Sequence, residues 1–408
     1  MARAPNGRKN VEFKLVSQAG NLLKQRSYGR YLKNLEMTLC FEKNIIEQIH
    51  KLWYLGTSSE HRDFKRFKME KQVVKPNDLA KAVAPFENVV PWPGLLKMVT
   101  HLMLLGSTFW LAWANHENSL VFWGATALFA LVYPPVLITT HDALHHTFTG
   151  IKLIDEVYPR LVSYPLFWFH GVYQQVHKLH HKMNGSDLRD PERVQWTQEE
   201  YDQLGSFAKF NARNQWIMSL FVYAGLGMII KTLLRAFEFW SKSKSMRIAL
   251  ITDFIAITAV NAAIIIFMAS QGLLLKYFLF WFATQYVAGM MLAYRAFVEH
   301  YGLWGKGDHF YDTQVRNCRN IKTNAFGEWY FNGLCHHAVH HAFLKVPFYN
   351  LKKAHDAMDD LYEQAGHEQI PYEEGYLKAA LKHVGKTRVI TDEPVGGLDG
   401  TMPLRETS

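Results

Sequence analysis

His336-His337-Ala338-Val339-His340-His341 is the densest run of histidine in this chain. It has two earlier counterparts, His141-Asp142-Ala143-Leu144-His145-His146 and His177-Lys178-Leu179-His180-His181. Half of the chain's 20 histidines fall in these three windows. Each window holds a His with another at i+3 or i+4, positions that share one face of a helix, so two or three imidazoles converge on one point. That is a geometry for holding metal. An isolated histidine usually serves packing or hydrogen bonding; three clusters at ligand spacing argue for a shared site.

Around these clusters the chain alternates polar stretches with apolar tracts near the length of a bilayer span. A chain of 408 residues would suggest two or more soluble domains, but the tracts make it an all-α integral membrane protein with about four transmembrane helices and a cytoplasmic helical cap carrying the clusters. Residues 1–97 contain 18 Lys and Arg against 9 Asp and Glu, a net +9 that equals the charge of the whole chain. A basic segment ahead of apolar spans fits a cytoplasmic region beside an anionic leaflet; a nucleic-acid partner is not expected. Cys40, Cys318 and Cys335 form no CxxC pair, which argues against zinc-ribbon, iron–sulfur and disulfide-scaffold readings. Cys335 adjoins the third cluster and reads as a packing residue.

Three regions follow: a basic cytoplasmic or interfacial segment at 1–94, a membrane and catalytic domain at 95–360, and a soluble tail at 361–408. Residues 22–54 carry basic and apolar residues at helical spacing, compatible with an interfacial helix. Prolines 76, 85, 91 and 93 predict an extended approach to the membrane rather than a helix. Spans are expected at 95–114 and 119–140, the second ending at His141, with Pro134 and Pro135 interrupting it just before the first cluster. Three apolar tracts, 216–234, 248–269 and 273–294, separate the second cluster from the third. If all clusters meet at one site, an even number of these tracts must cross. Gly225 and Gly227 split the first, and Arg213, Lys231 and Arg235 flank it, so it reads as interfacial or re-entrant; the other two form a hairpin turning at 270–272. The Lys/Arg-poor turns at 115–118 and 270–272 then lie outside and the clusters lie on the cytoplasmic side.

The last tract delivers His300 to the same side as the clusters, making it the lone histidine best placed to complete the site. With His141, His145, His177, His180, His181, His337, His340 and His341 it gives nine nitrogens, too many for one tetrahedral ion and enough for two ions of higher coordination. His146 and His336 are further candidates. Asp142, Asp187, Asp190 and Glu299, and with them Glu192, are available to accept from the outward ring nitrogens of metal-bound imidazoles. Imidazole suits zinc, copper, nickel and iron alike. Iron is preferred, because a redox-active pair beside an apolar cavity can activate oxygen against a hydrocarbon.

The series HDALHH, HKLHH and HHAVHH, the last following a helical hairpin, resembles the membrane-bound fatty acid desaturase family. Arg295–Gly302 (RAFVEHYG), Lys322-Thr323-Asn324 and the run Phe343–Leu351 strengthen the likeness, which covers about residues 95–360. The resemblance implies a non-haem di-iron centre under the cytoplasmic ends of four transmembrane helices. By it, His141 and His145 belong to the first box, His177, His180 and His181 to the second, and His337, His340 and His341 to the third, with His300 the separate ligand. Stearoyl-CoA desaturases place an Asn one turn before that separate ligand; this chain has Ala296.

The implied activity is iron- and O2-dependent insertion of a double bond into a fatty acyl chain. Related outcomes on the same site are hydroxylation, ketolation or oxidative decarboxylation to a terminal alkene, and a non-catalytic metal-binding membrane protein is a further reading. The sequence contains no haem-binding or cysteine-rich iron–sulfur segment, so electrons are expected from a separate ferredoxin, rubredoxin or cytochrome b5.

Overall fold

The computed structural model describes residues 72–384 and 389–390. The stretch before residue 72, including the helical pattern at 22–54, and the polar end from 391 lie outside the described residues. The described chain is almost wholly helical. Its strands are two-residue pairings, Trp196–Thr197 beside Val389–Ile390 and Asn320–Ile321 beside Tyr372–Glu373, both parallel.

The first two helices, α1 (Pro76–Val83) and α2 (Pro91–Ala114), overturn the expectation of an extended approach. Pro76 and Pro91 each occupy the first helical position, where the missing N–H would have no intrahelical partner and the fixed φ already suits a helix. Pro85 lies in the 3-10 turn Ala84–Phe86 between them. Next comes α3 (Ser119–Leu144), capped by the Asn118 side chain, which accepts from the Val121 N–H. Its apolar window is 61% buried, against 17 to 22% for the other helices of comparable length and apolarity, so α3 is the central helix of the bundle.

Pro134 and Pro135 sit inside α3 without ending it. Pro135 cannot donate to the Leu131 carbonyl, and the Tyr330 hydroxyl donates to that carbonyl at 3.0 Å instead, the compensation a proline in a membrane helix requires.

α4 (Lys152–Ser163), a 3-10 turn and α5 (His170–Met183) follow. After the short helices α6 (Gln198–Gln203) and α7 (Ser206–Arg213), the tract Gln215–Glu238 passes through a π-helical segment, Met218–Tyr223, into α8 (Ala224–Glu238). The hairpin is α9 (Lys244–Ser270) and α10 (Leu274–His300), with Gly272 at φ 69° in the turn, where a Cβ would be strained. Buried Asp253 of α9 accepts from the Tyr164 hydroxyl at 2.8 Å and the Val172 N–H at 3.0 Å. A carboxylate inside a span thereby fixes the start of α5.

Among the described residues, length and apolarity single out four helices able to cross a membrane: α2, α3, Gln215–Glu238 and α9. The number agrees with the sequence reading, but the membership differs. The tract read as interfacial is apolar and long enough, whereas α10, although 27 residues long, is not among the four. Its polarity comes partly from Gln285, Arg295 and Glu299, all buried inside the bundle. α10 packs along α3 and α8. A Cβ on Gly289 would collide with the backbone of Gly225 and Ala224, so Gly225, which sequence alone reads as a break, is where two helix backbones touch.

The chain then returns through α11 (Phe310–Arg316), α12 (Ala325–Tyr330), α13 (His337–Ala342), α14 (Leu351–Gln364) and α15 (Tyr376–His383). α11 packs on α13, and α14 holds α1.

Candidate metal centre

The three histidine clusters arrive on the end of α3, the second half of α5, and α13, with His300 on the last residue of α10. Their rings form two adjoining groups. In the first, His141, His145, His177, His181 and His340 each place a ring nitrogen within 4.8 Å of the others; in the second, His300, His337 and His341 do so together with the Cys318 sulfur. The His181 and His341 ring centroids, 4.2 Å apart, join the groups. His180 flanks the second group, 5.0 Å from the ring of His300 and 5.1 Å from that of His341.

The inward nitrogens suit metal. His177 and His181 oppose their Nε2 atoms at 2.8 Å, as do His300 and His337. Nε2 of His141, His145, His340 and His341 is buried without a hydrogen-bond partner. So many orphaned nitrogens at one place would cost roughly 1 to 3 kcal/mol each unless a cation satisfied them. Burial holds His145, His181, His337, His340 and His341 well below the usual imidazole range, keeping them in the neutral form that ligates metal.

Five of the outward nitrogens meet acceptors, whereas Nδ1 of His181 and of His337 is buried without a hydrogen-bond partner. His141 Nδ1 lies 3.1 Å from Asp142, His177 Nδ1 2.6 Å from Glu192, and His180 Nδ1 2.9 Å from Asp190. His341 Nδ1 lies 3.2 Å from the Gln314 side-chain oxygen and His300 Nδ1 3.3 Å from the Asn317 carbonyl. Burial disfavours a charged ring at His180, but the Asp190 carboxylate outweighs it and raises that imidazole. His177 in turn holds the Glu192 carboxyl below its usual range, against the effect of burial. Asp142 also takes a hydrogen bond from Asn332. Glu299, fully buried, lies 3.4 Å from His337 Nε2, 3.3 Å from Arg295 and 3.1 Å from the Tyr376 hydroxyl.

Three candidates stand apart. Asp187 is held by Arg189. His146, at φ 59°, points to Glu156 at 3.6 Å. His336 places Nδ1 2.7 Å from the Tyr372 hydroxyl. Conversely Cys318, Gln314 and Asn332 reach the groups with no spacing signal, because loops and the short helix α11 carry them there. Tyr372 and Tyr376 come from the stretch that the sequence assigns to a soluble tail.

A cavity of about 130 Å³ opens onto His141, His177, His180, His300 and His337, with Leu137, Trp168 and Leu292 on its apolar wall. One turn along α3 from Leu137, Tyr133 lines a second cavity of about 700 Å³ formed mainly by apolar residues such as Phe129, Leu166 and Phe280.

These helices and histidine groups make a helical fold with span-length apolar helices and metal-compatible clusters, and the sequence comparison adds a family: the family model for fatty acid desaturase matches residues 117–373. The chain belongs to the fatty acid desaturase family. It is similar to an acyl-lipid (9-3)-desaturase of Physcomitrium patens, 22% identical over 325 residues, which cover 72% of this chain and 58% of that protein. The chain therefore spans little more than half the length of that relative.

Proposed function

We propose that this chain is an iron- and O2-dependent oxidoreductase that inserts a double bond into a fatty acyl chain of a lipid. The observation that carries the reading is the pair of adjoining histidine groups, with inward nitrogens orphaned, facing an apolar-walled cavity. His141, His145, His177, His181 and His340 would hold one ion; His180, His300, His337 and His341 would hold the other. When bound, such a pair supplies the oxidising power to remove hydrogen from an unactivated carbon.

The rest is the work of the chain. Asp142, Glu192, Asp190 and Gln314 fix which ring nitrogen faces inward, the role such partners play around metal ligands. Leu137, Trp168 and Leu292 would hold the hydrocarbon and exclude water at the reacting carbon, and the larger cavity beyond Tyr133 would take the remainder of the chain. Electrons would come from a separate donor, a ferredoxin, rubredoxin or cytochrome b5.

Because the second and third boxes lie in one cluster with three long helices between them, an even number of those helices crosses the bilayer. The π-helical break at Met218–Tyr223 and the positive φ of Ala224 favour Gln215–Glu238 as the one that does not, with α9 and α10 crossing and the boxes on the cytoplasmic side. The catalytic unit extends past residue 360, since Tyr376 meets Glu299.

Iron-loaded, reduced protein supplied with O2, a donor and a panel of acyl lipids tests the reading by mass spectrometry. A product lacking two hydrogens is expected. A product that gains one oxygen, or is one carbon shorter, would assign the site to hydroxylation or decarboxylation instead.

A further inference from the structure

A third set of metal-capable side chains lies outside the two histidine groups. Glu328 of α12, Cys335 and His336 place one donor atom each within 4.8 Å of the others. The local fold brings them together: Asn332 and Gly333 take positive φ, 53° and 68°, and turn the chain back so that the Gly333 N–H donates to the Glu328 carbonyl at 2.8 Å. A Cβ at Gly333 would press on the Phe348 carbonyl, so the turn is held from both sides. Cys335 and His336 are 1% and 5% exposed, whereas the Glu328 side chain is 44% exposed at the mouth.

The chemistry of the trio points to a cation. The Tyr372 hydroxyl engages His336 Nδ1 at 2.7 Å, which leaves Nε2 as the ring nitrogen turned toward Glu328, 3.9 Å from its Oε1. That separation is too long for a hydrogen bond and a few tenths of an ångström wider than that of a nitrogen and an oxygen sharing one tetrahedral ion at about 2.0 to 2.2 Å from each, a gap that a rotation of the half-exposed Glu328 side chain closes. A thiolate and a carboxylate together neutralise a divalent ion, and neutrality is what a largely buried site needs. The neighbouring cations have other partners: Lys352 is paired with Asp356 at 2.7 Å, and Lys97 donates to the Trp329 carbonyl at 2.5 Å. A cavity of about 400 Å³ lined by Glu328, Gly333, His336 and Tyr349 opens over two of the three, Glu328 and His336, leaving room for water as a fourth ligand.

We propose that Glu328, Cys335 and His336 form a separate mononuclear site for a divalent ion of borderline softness, Zn2+ or Fe2+, on the opposite side of the third box from the histidine groups. Binding there would tie α12 to the start of α13 and brace the segment from which His337, His340 and His341 project.

Titration of the full-length, metal-free protein with Co2+ tests it, because a thiolate bound to Co2+ gives a charge-transfer band in the near ultraviolet that imidazole and carboxylate do not. One equivalent carrying that band is expected in Cys318→Ser, which removes the thiol beside the second histidine group, and its loss when Cys335→Ser is added. Glu328→Gln, a change at a half-exposed position that the fold tolerates, is expected to weaken the same equivalent by 10-fold or more even if Cys335→Ser does not fold. A band that persists in the double variant Cys318→Ser/Cys335→Ser, or that is already absent in Cys318→Ser, overturns the assignment. Read in the Cys318→Ser background, the band is independent of the histidine groups: if they bound nothing, one equivalent with the band would still appear, and if they bind two ions, three equivalents are expected, one of them carrying the band.

Discussion

His340 contributes to the first histidine group and its neighbour His341 to the second, so one turn of α13 serves both groups. His340→Ala is accordingly expected to reduce turnover to background while membrane insertion, followed by fractionation, is unchanged; retained turnover would remove the third box from the site. Glu192 acts at one remove. It holds His177 Nδ1 at 2.6 Å, and Glu192→Gln is expected to lower metal affinity or activity by about 10 to 100-fold, read as the concentration of added Fe2+ needed for half-maximal turnover. At this scale the sequence is most legible where helical spacing carries the signal, as in the three boxes. It is mute for Gln314 and Cys318, which stand near no histidine in sequence and meet the rings only because α11 packs on α13. Asp187 and Asp190 show the limit from the other side: both stand just past the second box, yet one meets Arg189 and the other His180, a choice made by a turn whose geometry spacing does not reveal.

Among the elements, the contact between Gly225 and Gly289 sets how closely α8 approaches α10, and α8 supplies Met228, Lys231 and Thr232 to the cavity over the histidines. Gly289→Leu is expected to destabilise the fold by about 1 to 3 kcal/mol through overpacking, visible as a melting temperature lower by several degrees in detergent, and to reduce turnover as α8 is displaced. An unchanged melting temperature would show that the backbones do not touch. The hairpin at 270–272 was readable because a polar turn ends in Gly272 between two apolar tracts. The helices at 76 and 91 were not, because proline marks a helix start as readily as an extended strand, and only the capping context separates the two. Gly225 carries the same ambiguity, since glycine breaks an isolated helix but permits close approach in a packed one.

For the whole molecule, the meeting of all three boxes at one place constrains the topology more than hydropathy does. Composition alone selects Gln215–Glu238 and passes over α10, because a helix central to the bundle carries buried polar groups that a lipid-facing helix lacks. Cysteines introduced at His116 and Gln271, in the two short turns, are expected to react with an impermeant thiol reagent from the face opposite to one introduced at Lys178; labelling of all three from one face would break the proposed topology. The proposed chemistry requires the two histidine groups to hold a pair of iron ions close enough to act as a unit. Mössbauer spectroscopy of protein loaded anaerobically with isotopically enriched iron and then oxidised is the most direct measurement. A spin-coupled diferric pair that disappears in His340→Ala is expected, whereas uncoupled single-iron sites, or histidine groups filled by zinc in preference to iron, would rule out a di-iron centre.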